Sequence, residues 1–512
     1  MSVLRDMSLP VPYLPPSPAK AGVQLGDAGN DPQRPFPSVS QLGPSLRWGR
    51  CFGLLPGLRR GRDLGLGLGL VSALPLLLLA GCASYAPLPL KGGASTLEAP
   101  DMAALSQAAG AIDRPYLKPV AIDLAQPLDP DAVAVIAVIA NPDLKARRER
   151  AGVSDAQLFA ARLLPDPVFS IGGNPVLSGP DPFVDIASSL ALDLNALRTH
   201  GVTIAAARGA ADQVHLDLAW AEWQTAGQAR LQAARILGLE RSAALAAITR
   251  AAADSMLART LRAAGRGDLA ADQSNSARAA DFDAQDRQRI LDRDLAAARL
   301  ELAKQLGLPP ATIIRLAPAT LPAPALDAEA LFTLARQRRT DLKALEAGYA
   351  SEEATLRKAV LDQFPTLGLT VNGNRDSAGN TLIGPAISFT VPLWNRNRGG
   401  IAIERATRAA LKAEYDARLF QTRAEIAAAV GGITVARRQR EALLRDIPAA
   451  RHFAEASRRA ADRGDLSLAT AETAEQALRD KQQLLAQSEQ DITEQTIALE
   501  LLTGAPKETW PS

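Results

Sequence analysis

Residues 364–405 read FPTLGLTVNGNRDSAGNTLIGPAISFTVPLWNRNRGGIAIER. Leu367, Leu369 and Val371 alternate with the small or polar Thr366, Gly368, Thr370 and Asn372. Ile387, Phe389, Val391 and Leu393 repeat the pattern around Ser388 and Thr390. A period of two puts each class on its own face of a strand. Asn372 to Asn380, with Gly373, Asn374 and Gly379, has turn chemistry. The stretch predicts a hairpin over about 365–394, apolar on one face only. From about Arg396 to Arg463 the chain turns to Ala, Leu, Arg, Glu and Gln, which favour helix. A helix of that span reaches roughly 100 Å. Gly431-Gly432 and Pro448 predict a kink or interruption within it.

The same design stands earlier in the chain. Leu190, Leu192 and Leu194 alternate with Ala191 and Asp193, in a hairpin expected over about 168–194. Adding 197 carries Leu190 to Ile387, Leu192 to Phe389, Ile204 to Ile401 and Arg208 to Arg405. The same offset of 197 carries Gly267-Asp268-Leu269 to Gly464-Asp465-Leu466, and Gly307 to Gly504. An ungapped offset of this length indicates duplication. Each copy reads as helix, hairpin, long helix, glycine turn and return helix. The first spans 141–320 and the second 321–504, with 505–512 a tail. The first copy opens at Asn141-Pro142-Asp143-Leu144, where Asn141 is a cap and Pro142 the first helical position.

The chain has 512 residues and a formal net charge of +2, which is no footprint for nucleic acid. Aromatics are only 4%, which suits long Ala-rich helices better than a compact enzyme core. His200, His215 and His452 lie far apart without ligand spacing, so no metal site is expected. Neither a nucleophile motif nor a phosphate loop occurs; the chain reads as no enzyme and as needing no cofactor.

Residues 1–58 are proline-rich and aperiodic, read as a disordered extension or a misplaced start. Residues 59–81 read as a signal peptide: Arg59, Arg60 and Arg62, then the apolar run LGLGLGLVSALPLLLL. Leu79-Ala80-Gly81-Cys82 resembles a bacterial lipobox, which makes Cys82 the lipid-bearing N-terminus of the mature chain. By the same resemblance, Ala83 after the cysteine directs the lipoprotein to the outer membrane. Only Cys51 accompanies Cys82, and it lies upstream of the cut, so no disulfide framework is expected. Residues 82–140 read as an extended leader.

Four strands of roughly ten residues suit a tilted membrane sheet. They cannot close a barrel, and an open edge in lipid leaves backbone groups unpaired. Closed barrels begin at about eight strands, so at least two chains are needed, and three give twelve. Leu190, Leu192, Leu194, Ile387, Phe389 and Val391 are then the lipid-facing residues. Leu478, Leu485, Ile492 and Leu499 recur every seven residues, a coiled-coil seam. The other reading is a non-channel periplasmic coiled-coil scaffold lipoprotein, which has no use for two hairpins with an apolar band.

Val391-Pro392-Leu393-Trp394-Asn395, Arg398 and Ile401 to Ala406 resemble the strand-to-helix signature of TolC-type outer-membrane efflux proteins, in their lipoprotein branch. Asn141-Pro142-Asp143-Leu144, Leu163-Leu164-Pro165-Asp166-Pro167 and Leu501-Leu502-Thr503-Gly504 extend the likeness over about 141–504. The resemblance implies a mainly α fold with a small transmembrane β-barrel portion, assembled as a trimeric α/β-barrel channel. It implies a homotrimer that passes small molecules or ions from an inner-membrane pump, of RND type, through a periplasmic adaptor. It also implies that the turns at Gly265, Gly267 and Gly464 dock the adaptor. Where the family carries acidic residues at the periplasmic entrance, this chain offers Asp268, Asp272, Asp465 and Glu472 as the candidates for a gate.

Overall fold

The computed structural model describes residues 85–88, 90, 101–175, 178, 184–269, 271–318, 326–375 and 379–511, with the backbone alone at 271–273. The chain divides into a unit from Met1 to Pro87, described only from residue 85, and a unit from Leu88 to Ser512 that holds every element below. The expected signal peptide, Cys82 and the 1–58 extension lie outside the described residues.

Each half of the chain runs through the same elements. The first has α2 (Pro130–Ala140), α3 (Pro142–Arg162), β1 (Val168–Pro175), β2 (Val184–Asp193), α4 (Leu194–Gly265) and α5 (Ala271–Gln305). The second has α6 (Ala328–Arg338), α7 (Thr340–Leu361), β3 (Leu367–Arg375), β4 (Thr381–Phe389), α8 (Arg398–Asp462) and α9 (Leu468–Thr503). Before them stands α1 (Met102–Gly110), and a short 3-10 turn, Lys507–Thr509, follows. Among the described residues no helix is long and apolar enough to cross a membrane, a statement that does not bear on strands.

The leader expected over 82–140 is not extended beyond residue 101. It contains α1 and α2, and the duplication begins at α2, one helix earlier than the sequence pattern shows. The reason is composition. PDAVAVIAVIA is apolar all round, so it has no 3.6-residue stripe, yet Asp129 caps it and Pro130 opens it. The Asp129 carboxylate accepts from the Ala132 N–H at 2.6 Å. The first core surrounds this helix: Val133 to Ala137 are fully buried, covered by Leu105, Leu117, Ile122 and Leu128 from the preceding segment. A second core joins Leu331 and Ala335 of α6 to Ile426, Ile433, Leu499 and Trp510.

The expected interruption of the second long helix is also corrected. α8 is helical without a break through Gly431-Gly432 and Pro448. At Gly432 a Cβ would strike the Gln495 side chain, so the glycine lets α9 approach closely. Pro448 and Leu444, the residue whose carbonyl its missing N–H leaves free, are both exposed.

Candidate channel wall and its two ends

The strands form one antiparallel sheet in the order β1-β2-β3-β4. Directly opposed residues share a face, so the register sorts the side chains. Phe169 pairs with Leu190 and Leu190 with Val371; Leu192 pairs with Leu369 and Leu369 with Ile387; Leu367 pairs with Phe389. These form one apolar face across both hairpins. The opposite face carries Ser170, Ser189, Asn372 and Gly384, with Gly368, Thr370, Ala386 and Ser388. Both faces are open in the single chain, with Ile387 68% and Phe389 63% exposed. β1 and β4 each have one edge without a strand partner among the described residues. Two of the expected strand residues fall elsewhere. Leu194 is the first residue of α4, because Asp193 accepts from the Asn195 and Ala196 N–H groups and caps the helix there. Val391 lies beyond β4, where Pro392 cannot donate to a ladder. Around this strand–helix junction Leu163, Leu164, Phe364, Val391, Leu393 and Trp394 are exposed, Trp394 by 85%.

Below the sheet the helices form a layer. Next to it, α3, α4, α7 and α8 pack in that order; farther away the order is α5, α4, α9, α8. The long α4 and α8 run through both levels, while shorter helices stack end to end between them. The C-terminus of α5 meets the N-terminus of α3, where a Cβ on Gly307 would lie 2.5 Å from the Ala140 carbonyl oxygen. The C-terminus of α9 meets α7, where a Cβ on Gly504 would lie 3.0 Å from Arg339 Cγ. Both glycines have positive φ, +63° and +65°, which terminates the lower helix in the left-handed conformation. Carbonyls at the end of one helix thus face the N–H end of the next, a favourable dipole arrangement.

Different side chains complete the two joints. Asn141 accepts from the Leu144 N–H at 3.0 Å and donates to the Gln305 carbonyl at 2.8 Å. Arg339, in the same place, donates to the Leu502 carbonyl at 3.1 Å and to both oxygens of Asp341 at 2.9 and 2.7 Å. Its guanidinium carbon also lies 4.7 Å from the Trp220 ring centroid. Nearby, Glu222 accepts from Arg114 at 2.7 Å and from Arg148 at 2.6 Å. Burial alone would raise the Glu222 carboxyl, but the hydrogen bonds and charges of these arginines hold it below its ordinary value. Glu500 goes the other way: burial raises it, and the Lys507 N–H and the Arg230 charge offset this only in part.

The seven-residue seam of α9 is only partly buried. Leu499 is fully buried, while Leu478, Leu485 and Ile492 are intermediate; over the stretch that holds those three, the buried residues are Ala471, Ala474, Ala486 and Ser488, and Thr496, Ile497, Glu500 and Thr503 are buried near the end of the helix. Small residues therefore set the helix spacing.

At the far end, α4 and α8 close with the same turn. Gly267 and Gly464 have φ of +81° and +82°. The Asp268 N–H donates to the Ala263 carbonyl at 3.0 Å, and the Asp465 N–H to the Ala460 carbonyl at 2.9 Å. Each turn reads Arg-Gly-Asp, and in each the arginine pairs with the aspartate at 2.9 Å: Arg266 with Asp268, Arg463 with Asp465. The candidate gate carboxylates are thus neutralised locally, and Glu472 is paired with Arg479. Asp272 sits in the first turn of α5, and its side chain is outside the described residues. Sequence reading missed the arginines because their partners lie two residues away, a separation without helical meaning until the glycine reverses the chain. Among the described residues no group of three or more His, Cys, Asp or Glu could hold a metal ion.

The pattern of the family described as outer membrane efflux protein matches residues 331–505, the second copy. No curated protein matches the chain. Among solved structures, CusC is 18% identical with a TM-score of 0.60, covering 80% of this chain and 99% of its own. The outer membrane protein VceC of Vibrio cholerae is 15% identical with a TM-score of 0.61, covering 73% and 96%. The outer membrane channel CmeC of Campylobacter jejuni is 14% identical with a TM-score of 0.61, covering 73% and 85%. At these identities the likeness establishes the fold, which is the α/β-barrel protomer of such channels. The family pattern thus falls on the second copy alone, while the fold of these channels extends over both copies.

Proposed function

We propose that this chain is the outer-membrane channel of a tripartite efflux system, a passive trimeric duct for small molecules or ions. The observation that carries the reading is the sheet: four strands, one apolar face, and an unpartnered edge on β1 and on β4. In lipid such edges cost several kcal/mol per unpaired group, so they favour closure with neighbouring chains. Leu190, Leu192, Ile387 and Phe389 then face lipid, and the Ser, Thr and Asn face lines the lumen. The exposed apolar ring around Trp394 suits the membrane–water interface, where aromatic girdles sit.

The helical layer extends this wall into the periplasm, with a curved row of α5, α4, α9 and α8 from each chain. The turns at Gly265 to Gly267 and at Gly464 form the periplasmic tips and dock a periplasmic adaptor fed by an inner-membrane pump of RND type. Their Arg–Asp pairs make the rim electrically balanced, so Asp268 and Asp465 do not act as a bare acidic filter. Cys82 carries the lipid that anchors the mature chain to the outer membrane.

One preparation tests these statements. Mature protein purified from a Gram-negative outer membrane is expected to have trimer mass, to conduct ions in a planar bilayer, and to begin at an acylated Cys82. Trimers or monomers that never conduct would return the scaffold reading. A chain retaining residues upstream of Cys82 without lipid would remove the anchor.

A further inference from the structure

Within the chain the two repeats meet where α4 of the first lies against α9 of the second. Arg241 of α4 donates to Glu489 of α9 at 2.7 Å, and Gln483 of α9 donates to the Ser242 hydroxyl at 3.2 Å. Gly238 lets the two helices approach, since a Cβ there would strike the Gln490 side chain. Nearer the joints Trp223 is buried, and its Nε1–H donates to the Leu501 carbonyl at 3.2 Å.

The row α5, α4, α9, α8 contains this contact once, but the duplication supplies each half of it twice. The offset of 197 carries α4 onto α8 and α9 back onto α5, and these are the two ends of the row. Their outer faces are open: Phe282 and Leu300 are exposed on α5, Phe420 and Val435 on α8. The chemistry of the contact is kept at the corresponding positions. Arg241 becomes Arg438 and Glu489 becomes Asp292, so the cation and the carboxylate are both retained. Ser242 becomes Gln439 and Gln483 becomes Asp286; donor and acceptor change sides, and a pair remains. Arg438 is exposed and has no ion pair among the described residues, while Asp292 accepts only from Gln288 of its own helix. The counterpart of the buried Trp223 is Phe420, which is 77% exposed.

We propose that α8 of one chain packs on α5 of a second copy of this chain, in the register that α4 adopts on α9. Arg438 then pairs with Asp292 of the second chain, Gln439 donates to its Asp286, and Phe420 is covered by the end of its α5 near Lys304. The proposal rests on the channel reading and names the residues by which neighbouring chains join. A contact between two different faces of identical chains is head-to-tail, and it forms a ring where the rotation closes. It runs on from the joining of β1 to β4, because α5 stacks under α3, which leads into β1, and α8 follows β4.

Cysteines at Val435 and Arg293, the counterparts of Gly238 and Gln490, test the register in the full chain. Oxidation of the doubly substituted protein should join chains covalently, and neither single variant should do so within an assembly. Assemblies of trimer mass without such crosslinks overturn the register and leave the channel reading standing; wild-type protein that never associates overturns both. A charge exchange reads the ion pair separately. Arg438→Asp and Asp292→Arg should each raise dissociation on dilution several-fold, and the double variant should recover the wild-type behaviour. A double variant no better than either single one overturns the pairing. If the cysteine variant fails to fold, the charge exchange decides, because both of its positions are exposed in the single chain.

Discussion

The two copies share a backbone and differ in how each is pinned. At both joints a glycine with φ near +64° ends the lower helix against the start of the upper one. One joint is completed by a neutral amide, Asn141, and the other by a buried guanidinium, Arg339, tied to a carboxylate, a carbonyl and an indole. The surroundings differ likewise. α2 is apolar all round and is wrapped by the segment that precedes it, whereas α6 keeps Glu329, Thr333 and Arg336 outward and packs on Trp510. Where backbone meets backbone the duplicated conformation is kept. Where a side chain can reach the same carbonyl in more than one way, the copies have parted.

The largest expected effect separates the two joints. Arg339→Ala strands Asp341 in a site where both side chains are about nine-tenths buried, and is expected to cost about 3–5 kcal/mol. Asn141→Ala removes a cap and should cost about 1 kcal/mol. Denaturant midpoints of the two variants check this, and equal losses would erase the contrast between joints. The next effect tests what the copies share. Leu190→Arg and its counterpart Ile387→Arg, which lie farther into the sheet than Leu192 and Phe389 at the strand ends, should each cost up to about 2–4 kcal/mol, with Ser388→Arg close to neutral. Refolding into lipid reads this, and equal damage at Ser388 would reverse the assignment of faces. The smallest effect concerns the glycines. Gly504→Ala should cost about 1–2 kcal/mol for a left-handed Cβ. Gly307→Ala should cost more, because its Cβ would press to 2.5 Å on the Ala140 carbonyl oxygen, whereas on Gly504 the nearest atoms, Arg339 Cγ and Cα, lie at 3.0 and 3.1 Å. Thermal midpoints that rank the pair the other way would show that the second joint is the tighter one.

The parts legible in the sequence are those with a period or a forced conformation. Strict alternation located β3 and the junction ends of β2 and β4, and the offset of 197 located the Gly267 and Gly464 turns. α2 was hidden because an apolar Val/Ile run without a polar face has no helical stripe. The unbroken course of α8 was hidden because Gly431-Gly432 signals a break locally, although Gly431 faces open space and Gly432 faces Gln495 of α9 within a continuous helix. The pairing of Arg266 with Asp268, and of Arg339 with Leu502, depends on chain reversals and on contacts 163 residues apart, which no local window contains.

The bare edges of β1 and β4 also set the order of events in making this protein. In the channel proposed above, a lone chain would leave those edges unpaired in the bilayer, so its sheet would not be stable there before neighbours arrive. Stability becomes a function of how many copies are present, falling as the protein is diluted. The interval before closure is hazardous, because an open edge accepts any strand that reaches it. Copy number and delivery rate therefore belong to the folding problem of this chain as much as any residue within it.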